Sequence, residues 1–68
     1  MNINLLKGKM REKGMTQEAV AKDMGVSLSR FNAKLNQRKG AEFSLGEVQT
    51  LRRMLGLTAK QTDQIFFA

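Results

Sequence analysis

Between residues 27 and 40 the chain carries Arg30, Lys34, Arg38 and Lys39 and no acid, with Ser29 and Asn32 set among them. Guanidinium and ammonium groups neutralise phosphates, and hydroxyl and amide side chains supply donors and acceptors that match base edges. This is the chemistry of recognition. Bond-making chemistry has little to work with, because the 68 residues include no Cys, no His and no Pro. Thiolate and imidazole metal ligands, a thiol nucleophile and the commonest general base are missing. Six scattered acids and a few hydroxyls have no base to activate them. The sequence therefore predicts no enzyme, cofactor, metal or small-molecule ligand.

The formal charge is +6, which favours an anionic partner, and its distribution is uneven. Lys7, Lys9, Arg11 and Lys13 against Glu12 leave residues 1–13 at +3, and Lys22 against Glu18 and Asp23 leaves residues 14–26 at −1. Residues 27–40 stand at +4, while Arg52, Arg53 and Lys60 balance Glu42, Glu47 and Asp63 in the remainder. The excess is thus confined to two segments. With 41% hydrophobic and 26% charged residues, the chain is too apolar for a disordered basic tail, and its length suits one domain over residues 1–68. Apolar runs reach only two to four residues, such as Leu5-Leu6 and Ile65-Phe66-Phe67-Ala68, against roughly 20 residues for a bilayer span. Residues Met1 to Asn4 lack the regions of a signal peptide, so a cytoplasmic location without membrane contact is expected.

Apolar spacing is helical throughout and predicts an all-α domain of five helices. The first runs over about residues 3–13, with Ile3, Leu6 and Met10 on one face and Gly14 as its stop. Thr16 caps a second over 17–24, in which Val20, Ala21 and Met24 share a face ended by Gly25. Ser27 caps a third from Leu28 to about Asn36, with Phe31 and Leu35 inward. Residues 37–40 read as a basic loop, with Phe43 beyond it anchoring the chain to the core. Ser44 with Glu47 forms a capping box for a fourth helix, where Leu45, Val48, Leu51 and Leu55 continue to Gly56. Thr58 with Gln61 repeats the pattern for a fifth, which carries Thr62, Ile65 and Phe66 to the chain end. Met10, Met15, Met24 and Met54 read as core filler.

The second and third helices meet the demands of a tight crossing: Ala21 is small, Gly25 tolerates positive φ, Val26 plugs the turn, and Val20, Met24 and Phe31 fill the inside. Such a crossing leaves the outer face of the third helix free for a major groove about 12 Å wide. The run from Met15 to Asn36, MTQEAVAKDMGVSLSRFNAKLN, resembles the helix-turn-helix of the lambda-repressor and Cro-like family of phage and bacterial regulators. The five-helix layout extends that resemblance over essentially the whole chain, and Thr16, Gln17, Ala21, Gly25 and Asn36 coincide with recurring family positions. The resemblance implies a compact lambda-repressor-like DNA-binding domain, with Gln17 and Asn36 at phosphates. It departs from the family at Lys34, where an apolar residue is usual, and at Leu28, where lambdoid repressors often carry a base-reading Gln.

The expected function is a sequence-specific, double-stranded-DNA-binding, Cro-like transcriptional repressor of phage or mobile-element type, nucleoid-associated in a bacterial host. Ser29, Asn32 and Ala33 lie opposite Phe31 and Leu35 and are expected at base edges, with Arg30 on guanine or phosphate and Leu28 against a thymine methyl. Ser27, Lys34, Arg38 and Lys39 join Gln17 and Asn36 as expected phosphate contacts. Ile65, Phe66 and Phe67 form a candidate homodimer contact on an operator. The alternatives are a protein-interaction module such as an antitoxin-like regulator, and an architectural or recombination accessory DNA-binding protein.

Overall fold

The computed structural model describes residues 1–67 and is all-helical, with no strand among the described residues. Five α-helices follow in chain order: α1 Ile3–Glu12, α2 Gln17–Met24, α3 Leu28–Leu35, α4 Leu45–Leu55 and α5 Ala59–Thr62. Each begins at a side chain that accepts a hydrogen bond from an otherwise unpaired N–H of the first turn. Asn2, Thr16, Ser27, Ser44 and Thr58 serve in this way for the five helices in turn. Both expected capping boxes close: the Ser44 N–H donates to Glu47 Oε1 at 2.8 Å and the Thr58 N–H to Gln61 Oε1 at 3.0 Å. Gly25 at φ 74° and Gly56 at φ 62° hold the left-handed backbone that stops α2 and α4.

Boundaries differ from the sequence reading at three places. α1 stops at Glu12 with Lys13 as its C-cap, and α3 stops at Leu35 with Asn36 as its C-cap. The last helix is α-helical only to Thr62 and then widens into a π-helical turn over Asp63–Phe67, while Ala68 lies outside the described residues. In that turn Ile65 is fully buried and its carbonyl accepts from the Asn2 N–H at 2.7 Å, so the first and last described segments are clasped together. The basic stretch after α3 is a single 3-10 turn, Arg38–Gly40, flanked and interrupted by Gln37 and Lys39, both left-handed at φ 52°.

Leu6, Met10, Val20, Ala21, Phe31, Leu35, Leu51, Leu55, Leu57 and Ile65 form one core, so every helix except the short α5 places a face in it and the π-turn supplies Ile65. Met15, Met24, Val26, Phe43 and Met54 pack against its edge. Phe43 extends the core outward, its ring 5.7 Å from Phe31 and 6.2 Å from Phe66 in an edge-to-face arrangement. Leu45, expected on the inner face of α4, is 67% exposed, because the face that meets the core is set by Val48, Leu51 and Leu55. Leu57 fills the core instead, just after the Gly56 turn. Among the described residues no helix is long and apolar enough to cross a membrane.

Candidate nucleic-acid interface

α2 and α3 are joined by three residues, with Gly25 left-handed and the Val26 N–H bonded back to the Ala21 carbonyl at 3.0 Å. That bond and the burial of Ala21, Val20 and Phe31 fix the two helices against each other. Phe31 and Leu35 are fully buried, which sets the register of α3. Its first turn then lies outward: Ser27, Leu28, Ser29 and Arg30 are exposed, while Asn32, Ala33 and Lys34 are half-buried. Ser27 is occupied as the N-cap, accepting from the Arg30 N–H at 3.1 Å.

Gln17, in the first turn of α2, sits at the junction of two surface hollows. One is lined by Lys7, Met10, Arg11, Met15 and Gln17, the other by Gln17, Glu18, Leu28, Ser29, Asn32 and Arg38. The basic side of α1 and the exposed turn of α3 are therefore neighbours on one surface, with Gln17 between them. The α1 residues Lys7 and Arg11 carry more of this surface than the sequence assigned to them. Their signal was present in the +3 of residues 1–13, but only the packing of α1 beside α2 turns it toward α3.

Three amide side chains connect the helices across this surface. Asn32 Nδ2 donates to Gln17 Oε1 at 3.2 Å, and Asn36 Nδ2 donates to Asn32 Oδ1 at 3.2 Å and to the Asn32 carbonyl at 2.9 Å. Gln17 accepts through its oxygen, which leaves its NH₂ as a donor for an anion. Asn32 is engaged at both ends of its amide, and each end keeps one further site, an N–H and an oxygen lone pair, for a base edge.

Lys34 differs from the expectation that it binds phosphate. Its Nζ donates to Glu47 Oε2 at 2.6 Å, with the side chains only 19% and 18% exposed, so this ammonium is held at the start of α4. The half-buried position suits a lysine: the stem packs and the charge is paired. Arg38 and Lys39 remain exposed on the 3-10 turn. Burial alone would raise the Glu47 pKa. The hydrogen bond from Lys34, the Ser44 N–H, the Lys34 charge and the Ser44 hydroxyl outweigh it and lower the pKa from the usual 4.5. A depressed acid contributes stability that is complete above its unfolded value and lost as pH falls through its folded one. Wild type should therefore lose stability below about pH 4.5, and urea unfolding of Glu47→Gln should show a shallower loss over the same acid range. Equal acid slopes for the two proteins would contradict the pairing.

The terminal aromatics divide. Phe66 is half-buried against Phe43, and Phe67 is 61% exposed with its ring 6.4 Å from Phe66. Ile65 cannot serve as the surface contact the sequence suggested, because it is fully buried in the core. Beside Phe67 a hollow is lined by Met1, Phe43, Val48 and Phe66, with Lys34, Gln37 and Glu42 at its polar edge. Comparison with protein-family models, with curated proteins and with solved structures gives no match.

Proposed function

We propose that the chain is a sequence-specific double-stranded-DNA-binding transcriptional regulator of the lambda-repressor and Cro-like kind, with α2 and α3 as its helix-turn-helix. The observation that carries this reading is the shared surface on which Gln17, Leu28, Ser29, Asn32 and Arg38 converge beside Lys7 and Arg11. A helix N-terminal turn, a left-handed stop at Gly25 and cations on both flanks are what a major groove and its two phosphate walls require. In this reading α3 enters the groove with Leu28, Ser29, Arg30 and Ala33 toward bases. Asn32 braces Gln17, and Arg38, Lys39, Lys7 and Arg11 meet phosphates. The segment after residue 40 carries no net charge.

Regulation by occupying an operator needs no catalysis. Two copies joined through Phe67 and the neighbouring aromatic hollow would set their recognition helices about 34 Å apart, one turn of the duplex. Selection of bound sequences from a random duplex library tests the whole reading. The expected result is an inverted repeat whose half-sites are about 10 base pairs apart centre to centre. Binding without enrichment of any sequence would replace it with the architectural role.

A further inference from the structure

Leu28 is 46% exposed in the first turn of α3, a large aliphatic side chain on an otherwise polar and charged surface. Two of its polar neighbours there, Gln17 and Asn32, are bonded to each other. Asn32 is bonded to both Gln17 and Asn36, and Gln17 Oε1 is taken by Asn32. Ser29 carries the one hydroxyl beside Leu28 with no hydrogen-bond partner among the described residues. Ser27 caps the helix at the preceding position, so the Leu28 backbone is fixed. An aliphatic group can form no hydrogen bond to a base edge. The apolar feature a major groove offers it is the methyl group at C5 of a pyrimidine.

We propose that Leu28 reads the 5-methyl group of a pyrimidine, thymine or 5-methylcytosine, an assignment that rests on the DNA-binding reading above. Each half-site then contains one position where discrimination comes from methyl burial against Leu28, while the hydrogen bonds of the base pair go unread. Burying one methyl group contributes about 0.8 kcal/mol, which corresponds to about 4-fold in affinity.

The test uses the duplex recovered by selection. Each thymine is replaced in turn by deoxyuridine, which removes the methyl group and leaves the hydrogen-bonding edge intact. Wild type should lose about 4-fold at one position per half-site, and Leu28→Ala should bind the two duplexes equally. At that position cytosine should bind more weakly than 5-methylcytosine by a similar factor, which separates methyl reading from thymine reading. A uracil scan that is flat in wild type, on a duplex still preferred over random DNA, overturns the assignment alone. Recovery of no preferred duplex overturns the assignment together with the regulatory reading beneath it.

Discussion

Raising monovalent salt from about 50 to about 200 mM should weaken duplex binding by about 150-fold per subunit, a slope near −3.6 in log affinity against log salt. The magnitude follows from the four cations assigned to phosphates: Lys7 and Arg11 beside Gln17, Arg38 beside Leu28, and Lys39 exposed on the turn after α3. Each phosphate neutralised releases condensed counterions, and each contributes about −0.9 to the slope. Removing one such cation by Arg38→Ala should flatten it by about that amount on selected and random duplexes alike. Lys34→Ala should leave it unchanged, because the Lys34 ammonium is already held by Glu47 at 2.6 Å. The contrast between two basic residues four positions apart distinguishes a geometric footprint from a general attraction of a basic protein. A slope near zero, or equal flattening by both substitutions, would defeat the electrostatic account.

Phe31→Ala should abolish the folded state at 25 °C. Phe31 is the largest fully buried side chain and touches the Phe43 ring that links the core to the terminal turn. Truncating a buried Phe costs about 3–5 kcal/mol. A core of this size rarely supplies more than about 3–5 kcal/mol in total, so the loss is comparable with the whole margin. Phe31→Leu keeps most of the apolar volume and should retain a cooperative transition at a lower midpoint, by about 4–8 °C for each kcal/mol lost. Circular dichroism during heating reads both. A Phe31→Ala variant that melts cooperatively near wild type would mean that the core is not centred on this ring.

What could be read in the sequence was local. Thr16, Ser27, Ser44 and Thr58 announce their helices because capping depends on residues three positions apart, and Gly25 and Gly56 mark the stops for the same reason. The Asn2 cap follows the same chemistry, and the Asn before an apolar periodic run was its signal. Pairings between distant residues were not legible. Lys34 counted toward the +4 of its segment, and nothing local revealed a partner thirteen residues away at Glu47. Gln17 and Asn32 are fifteen residues apart, so their coupling needs the α2–α3 crossing to exist first. The widening of the last helix into a π-turn was hidden too, since it accompanies a contact with Asn2 at the other end of the chain. The all-helical class and the core positions Leu6, Val20, Phe31 and Leu51 emerge from periodicity, whereas the commitments of individual polar groups emerge from packing.

The bond from the Asn2 N–H to the Ile65 carbonyl spans nearly the full described chain. Closing a loop of that length carries a length-dependent entropy cost of about 4 kcal/mol, whereas the turn between α2 and α3 closes over only a few residues. Assembly order follows from this difference: the local crossing can form early, and the clasp is added after the intervening helices have shortened the gap. The same asymmetry governs opening in the native state. The clasp can release and re-form while Gly25, Val26 and the buried side of α3 stay in place, so amide exchange should be faster at Asn2 than at Val26.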